Sequence, residues 1–356
     1  MATIEVKTKS QNYQVRIGRG LLAHLSDELE NALAGQKRPS TIAVVTESNV
    51  APLHLAATVE ALAPFGAQVV QYIFPAGETS KHLGTVTQIL NFLAENHVTR
   101  SDLVVALGGG VTGDIAGFSA AIYLRGIRVV QIPTTLLAAI DSSVGGKTGV
   151  DLPSGKNLCG AFWQPSLVLC DPELLRTLPQ EILHDGVAEA IKYGVIGDRP
   201  LFDLLASQNL DEHLETVIER CVASKAAIVA RDEFDRGDRA LLNFGHTFAH
   251  AIEKCSGFAV SHGRAVGIGM VMMSQLAYQQ GWTHEECAPA VAQALQRYAL
   301  PTATEFTPTR LLPYLLGDKK RSGKELTLVI PETIGHCVRK SIDVEELREI
   351  LESLVI

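Results

Sequence analysis

Three histidines, His246, His250 and His262, lie close together in the stretch Asn243–His262. Phe248, Ala251 and Ile252 give the run Thr247–Cys255 the spacing of a helix. His246 and His250 are four apart, so they share one helical face, a spacing that can grip a divalent metal. With no acid beside it, this HxxxH pair is a weak motif, and hydrogen bonding near a helix start satisfies such residues equally well. A metal reading needs support from acids and bases elsewhere in the chain.

Two glycine-rich loops offer a second kind of chemistry. Gly108-Gly109-Gly110-Val111-Thr112-Gly113 follows an apolar run and formally matches GxGxxG. Glycines let backbone N–H groups approach an anion, and a helix N-terminus adds partial positive charge. A Rossmann dinucleotide loop follows the first strand and is answered by an acid about 20 residues on. Here the loop follows a later strand and that region holds Gln131. A dinucleotide site and a plain strand–helix turn both stay open. The second loop, Asp141–Gly149, contains Gly145-Gly146-Lys147-Thr148-Gly149, like the tail of a Walker A loop. The first glycine that motif requires is missing, so an ATPase is not expected. Lys147 remains suited to a phosphate or carboxylate, and Lys156 and Asn157 stand between Gly155 and Gly160. Arg125, Lys192, Lys225, Arg239 and the run Asp318-Lys319-Lys320-Arg321 add further cationic groups, several inside apolar or glycine-rich stretches. Taken singly, such residues are usually solvated surface charges. A substrate with more than one anionic group would use them as a set.

The elements that must position these groups follow a simple plan. Alternation through Ile4, Val6, Tyr13, Val15 and Ile17 predicts a hairpin over residues 3–18. Short apolar strands are predicted at Thr41–Thr46, Gln68–Phe74, Leu103–Leu107, Arg128–Ile132 and Leu167–Cys170. Helical patterns lie between several of them, as at Leu83–Asn96 and Gly113–Leu124, which predicts a parallel sheet covered on both faces. After Pro179 the expected helices are Gln180–Ile196, Glu215–Asp232, Arg239–Cys255, His262–Gln280 and Glu285–Tyr298. A strand pair, Leu326–Ile330 and Gly335–Val338, and a closing helix, Asp343–Leu354, complete the chain. The expected organisation is an α/β domain at 1–178 and a mainly helical domain at 179–356, with a cleft between them as a common kind of ligand site.

With 356 residues, two domains are the natural expectation. A net charge of −8 argues against nucleic acid as the partner. Cys159, Cys170, Cys221, Cys255, Cys287 and Cys337 are scattered, with no CxxC, and read as reduced thiols of a cytoplasmic protein. The first residues lack the apolar core of a signal peptide, and no apolar run approaches the ~18 residues of a membrane helix.

Taken together, five blocks resemble the 3-dehydroquinate synthase family of sugar-phosphate cyclases. They are GGGVTGDIAGF at 108–118, IPTTLLAAIDSSVGGKTGVD at 132–151, GKNLCGAFWQP at 155–165, VAEAIKYG at 187–194 and NFGHTFAHAIE at 243–253. Their order and the chain length agree as well. The resemblance implies a Rossmann-like α/β nucleotide-binding domain followed by an α-helical metal-binding domain, with the active site between them. It also implies tightly held NAD and one divalent metal, zinc or cobalt.

On this pattern the metal ligands are Glu189, His246 and His262. His250 then becomes a proton-handling neighbour rather than a ligand, which revises the spacing argument. NAD contacts carry over to Glu47, Asn49, Glu78, Lys81, Gly110, Val111, Thr112, Gly113, Asp114, Thr134, Thr135, Lys147, Lys156, Leu174, Leu175, Arg176 and Thr177. The family often has Asp where this chain has Glu47 and Ala76. Substrate contacts carry over to Arg125, Lys147, Asn157, Lys225, Arg239, Asn243 and one of Lys319 or Lys320. Asp141, Lys192 and His250 are the implied catalytic groups.

The implied reaction converts 3-deoxy-D-arabino-heptulosonate 7-phosphate to 3-dehydroquinate and phosphate. It runs by transient oxidation, phosphate elimination, re-reduction and an intramolecular aldol closure. A homodimer is implied, with Arg125 reaching the partner. One rival is a related cyclase acting on sedoheptulose 7-phosphate or glucose 6-phosphate, substrates without the carboxylate that Lys225, Arg239 and Asn243 would meet. A polyol dehydrogenase would not need the phosphate-holding lysines. A non-catalytic NAD sensor would be expected to have lost a ligand or a lysine, and none is lost.

Overall fold

In a computed structural model, residues 1–316, 321–322 and 325–353 are described. Two compact units are formed, Met1–Pro179 with Leu214–Phe234, and Gln180–His213 with Asp235–Ile356.

The first unit is built on β1 (Ala2–Val6), β2 (Tyr13–Ile17), α1 (Leu25–Ala32), β3 (Thr41–Glu47), α2 (Ala56–Leu62), β4 (Gln68–Phe74), α3 (Leu83–Glu95), β5 (Leu103–Gly108), α4 (Gly110–Ile122), β6 (Arg128–Pro133), β7 (Lys147–Leu152), β8 (Gly155–Phe162) and β9 (Leu167–Cys170). Seven strands form one sheet in the order β1-β2-β9-β6-β5-β3-β4. The β1–β2 pair is antiparallel and the other pairings are parallel. Alternate residues of β3 and β5 face opposite sides. Ile42, Val44, Leu103 and Val105 pack with Leu25 and Leu29 of α1 and Leu62 of α2. Ala43, Val45, Val104 and Ala106 pack with Ile89 and Leu93 of α3 and Ile115 and Phe118 of α4. Burial on both faces explains why these strands read as continuous apolar runs.

Leaving aside β2, which joins the sheet parallel to β9 at the far edge, the parallel strands β3, β4, β5, β6 and β9 counted along the chain lie in the order 2-1-3-4-5. The direction of winding therefore reverses between β3 and β5. In such sheets ligands bind beyond the carboxyl ends of the strands at that reversal. The glycine loop on β5 is consequently at the switch point although it follows the third strand of the set. This accounts for its departure from the Rossmann spacing, in which the loop follows the first.

Two sequence expectations are corrected here. The glycine-rich segments around Lys147 and Lys156 form the β7–β8 hairpin, with Gly149 opposite Gly160. A Cβ on Gly160 would sit 2.2 Å from the Thr148 carbonyl oxygen, so these glycines permit close strand contact. The expected division at 178 was a single cut, whereas Leu214–Phe234 packs with the first unit. Its side chains explain this: Lys225 pairs with Asp141, and the Glu233 carboxylate accepts from Lys9 N, Ser10 N and Gln164 Nε2.

The helices are α5 (Gln180–Gly197), α6 (Arg199–Ser207), α7 (Leu210–Arg231), α8 (His246–Cys255), α9 (His262–Gln279), α10 (Ala288–Gln296), α11 (Pro308–Leu316) and α12 (Val344–Ser353). All but part of α7 belong to the second unit. A small antiparallel sheet joins β10 (Arg321–Ser322), β11 (Glu325–Thr333) and β12 (His336–Asp343). The single helix expected over Arg239–Cys255 is instead a 3₁₀ turn, Asp238–Asn243, followed by α8. Gly245 breaks the run with a left-handed φ of 79°. Its carbonyl is in close contact with α9: a Cβ on Gly269 would lie 2.1 Å from the Gly245 carbonyl oxygen. Glycine on both sides therefore lets α8 and α9 touch backbone to backbone.

Candidate active site

Glu189 lies at the fully buried centre of α5. His246 and His262 are the first residues of α8 and α9. Both imidazole Nε2 atoms turn to the same carboxylate oxygen, at 3.2 Å for His246 and 3.1 Å for His262 from Glu189 Oε1. The three potential ligand atoms lie within 4.8 Å of one another. Helix N-termini carry partial positive charge, which favours an anionic partner such as the Glu189 carboxylate.

The outward-facing ring nitrogens are also engaged. His246 Nδ1 is 3.1 Å from the Phe244 carbonyl oxygen, which can only accept, so Nδ1 carries a proton. His262 Nδ1 lies 3.4 Å from Glu253 Oε1. The start of α9 is tied to α5 by Asp185, one turn before Glu189. Its carboxylate accepts from Ser261 Oγ at 2.5 Å, Gly263 N at 3.2 Å and Arg264 N at 3.0 Å. A Cβ on Gly263 would fall 1.9 Å from the Asp185 carbonyl oxygen, so only glycine fits there.

The electrostatics follow from burial and from these partners. Burial would push the Glu189 carboxyl up, but Lys192 and the two histidines outweigh it and hold the group well below the usual carboxylate range. Burial lowers the pKa of His246 despite Glu189. Burial acts the same way on His262, yet its bonds to Glu189 and Glu253 prevail and push it up to about 10. Such a buried carboxylate with two convergent imidazoles has the donor types of a catalytic divalent-cation site. His250, one turn along α8, has its ring 5.6 Å from that of His246. Arg239 is buried and Asn243 is half-buried, both in the 3₁₀ turn before α8.

In the first unit, Gly110–Asp114 form the first turns of α4, directly beyond β5. Gly108, Gly109 and Gly110 leave the backbone bare. A Cβ on Gly109 would meet Thr135 Cγ2 at 3.0 Å, and one on Gly110 would meet Ser142 Oγ at 3.1 Å. Thr134 is buried and its hydroxyl has no hydrogen-bond partner. An unused hydroxyl beside a bare helix N-terminus fits a phosphate-bearing cofactor. Lys81 Nζ contacts Asp114 Oδ2 and Asn157 Oδ1, each at 2.7 Å. Burial raises the Asp114 carboxyl despite Lys81. Lys156 Nζ is 3.4 Å from Glu78. Asp141 pairs with Lys225 and also accepts from it through its backbone oxygen at 2.7 Å.

The remaining predicted residues are more dispersed. The Glu47 carboxylate caps its own loop, accepting from Asn49 N at 2.7 Å and Val50 N at 3.1 Å. Leu174–Thr177 form a 3₁₀ turn, where Thr177 Oγ1 is 3.0 Å from His54 Nε2 and Arg176 pairs with Glu173. Arg125 is exposed with a φ of 68°, and Lys147 is exposed at the start of β7. Lys319 and Lys320 lie outside the described residues. Sequence reasoning missed Glu253 and Asp185. Glu253 was detectable as the third member of the i, i+4, i+7 stripe His246, His250, Glu253.

Structures of similar fold place the chain in a class. It superposes with a TM-score of 0.85 on a 2-deoxy-scyllo-inosose synthase complexed with carbaglucose-6-phosphate, NAD+ and Co2+, at 25% identity, covering 99% of this chain and 100% of that one. It superposes equally well, at 0.85, on a 2-epi-5-epi-valiolone synthase from Streptomyces hygroscopicus subsp. jinggangensis with NAD+ and Zn2+ bound, at 29% identity and 98% coverage of both. The class is that of the sugar-phosphate cyclases. Within it, residues 71–185 match the 3-dehydroquinate synthase N-terminal family model and residues 186–321 the C-terminal one. A 3-dehydroquinate synthase of Paracoccus denitrificans is 42% identical, with 98% of each chain covered, and one of Clostridium acetobutylicum is 39% identical, with 97% of this chain and 98% of that one covered. The chain belongs to the 3-dehydroquinate synthase family, and it is an enzyme, a lyase acting on phosphates.

Proposed function

We propose that this enzyme converts 3-deoxy-D-arabino-heptulosonate 7-phosphate to 3-dehydroquinate and phosphate, the cyclisation step of the shikimate pathway, using NAD and a divalent cation. The observation that carries the metal-dependent reading is the convergence of His246 and His262 on one oxygen of buried Glu189. Full-length identity of about 40% to 3-dehydroquinate synthases supports this substrate over those of the related cyclases. Bound NAD would take up and return a hydride, and a bound cation would acidify the substrate alcohol it touches.

Each side chain then has a task that its chemistry suits. Glu189, His246 and His262 would hold the cation, leaving positions for substrate hydroxyls. Gly110–Asp114, Thr134 and Thr135 would receive the cofactor's phosphates, and Glu47 and Asn49 its ribose, across the switch point. Glu78, Lys81, Lys147, Lys156 and Leu174–Thr177 would complete that set. Arg125, Asn157, Lys225, Arg239 and Asn243 would bind the anionic ends and hydroxyls of the substrate, holding the chain for ring closure. Lys319 or Lys320 would join them. Asp141, Lys192 and His250 would orient hydroxyls and carry protons. Asp141 also fixes the Lys225 ammonium, as their ion pair supports.

The test is His246→Ala. We expect loss of bound metal and a fall in phosphate release on the order of 100-fold or more. Wild-type metal content with full activity would reject the ligand assignment. A cytoplasmic homodimer is part of the same proposal, to be checked by sedimentation of the purified enzyme; a monomer with full activity would reject it. Among the described residues, no helix is long and apolar enough to cross a membrane.

A further inference from the structure

We infer that Glu253 is a positioning residue for metal binding, acting through His262 Nδ1. This rests on the proposal that Glu189, His246 and His262 hold a divalent cation. An imidazole ligates through one nitrogen, and the partner of the other sets the tautomer and the ring's direction. For His246 that partner is the Phe244 carbonyl, part of the backbone. For His262 it is the Glu253 carboxylate, 3.4 Å from Nδ1, while Nε2 points at Glu189. The two ligands are thus oriented by different means, and only the second depends on a side chain.

The position of Glu253 on its helix strengthens the case. It is 5% exposed and sits in the last turn of α8, where the helix presents its negative end. A buried acid there is disfavoured both by desolvation and by the helix dipole. Helix stability therefore does not explain this residue, whereas a contact with a ligating imidazole does. Glu253 is also seven residues from His246, on the same face, so α8 would supply one ligand itself and orient a second one on α9. A carboxylate in this place makes the imidazole a stronger donor, and loss of such a partner typically weakens metal binding about 10- to 100-fold.

The experiment strips metal from the full-length wild type and from Glu253→Ala, Glu253→Gln and His246→Ala. Cobalt(II) is then titrated into each, following its visible absorption bands and competition with a chelating indicator. Circular dichroism and thermal unfolding of the metal-free proteins report the fold. We expect Glu253→Ala to bind cobalt about 10- to 100-fold more weakly, with altered visible bands. Glu253→Gln keeps an acceptor but not the charge, and should fall between Ala and wild type. If Glu253→Ala does not fold, Glu253→Gln decides. Affinity within twofold of wild type and an unchanged spectrum in the folded Glu253 variants would overturn the inference while His246→Ala still shows the metal site. If wild type and His246→Ala bind cobalt alike, the metal reading itself fails and the inference falls with it.

Discussion

Single residues here work through the partners that burial forces on them. Asp102 is fully buried just before β5, where it accepts from Ser40 N, Ser40 Oγ and Thr41 N with one oxygen and from Thr99 N and Oγ1 with the other. It therefore knits the lower ends of the two strands that flank the switch point. Burial raises the Asp102 carboxyl, but the bonds from Thr99, Thr41 and Ser40 outweigh it and the pKa is lowered. A folded-state pKa below the unfolded value of about 3.9 gives stability that is present above that pH and lost as pH falls through the folded value. Asp102→Asn should cost about 1–3 kcal/mol at pH 7 by urea unfolding, because some of those donors lose an acceptor. The gap from wild type should narrow in acid. A gap that stays constant down to pH 3 would show that the charge of Asp102 contributes nothing.

Elements bring the ligands together, and small residues decide how closely. The Asp185 carboxylate caps α9 from α5, and Gly263 lets the two backbones meet. Gly263→Ala should cost about 1–3 kcal/mol through overpacking against the Asp185 carbonyl. Because it displaces His262 from Glu189, it should also weaken cobalt binding; stability loss with unchanged affinity would mean that α9 moves without disturbing the ligand. Much of this architecture could be read in advance. The parallel strands showed as short apolar runs and α8 and α9 as periodic segments, because local pattern controls both. The break at Gly245 was hidden, since the apolar spacing of Arg239–Cys255 continues across it and only the approach of α9 demands it. The β7–β8 hairpin was hidden too, because its glycines serve strand contact rather than a loop. Asp185 looked like an ordinary helical acid, distinguished only by contact with residues of another helix, which periodicity does not encode; Glu253 showed in the stripe with His246 and His250, but its contact with His262 did not.

At the scale of the whole chain, two units carry two kinds of machinery. One presents a bare helix N-terminus at the switch point of a doubly wound sheet, and the other a buried Glu–His–His cluster. The family motifs made the pairing of nucleotide and metal sites legible, whereas composition and charge only removed nucleic acid and membrane from consideration. The exchange of Leu214–Phe234 into the first unit was not legible, because it depends on Lys225 meeting Asp141 and Glu233 meeting the N-terminal hairpin. The account's central claim is that a captive nicotinamide cofactor and one cation together drive cyclisation of a carboxylated sugar phosphate. The most direct measurement follows phosphate release and absorbance at the NADH band together, with cobalt and NAD present, on 3-deoxy-D-arabino-heptulosonate 7-phosphate, sedoheptulose 7-phosphate and glucose 6-phosphate. The account predicts rapid phosphate release from the heptulosonate alone, with no net NADH, abolished by chelator. Phosphate release from either other sugar at a comparable rate, or NADH accumulating with turnover, would contradict it.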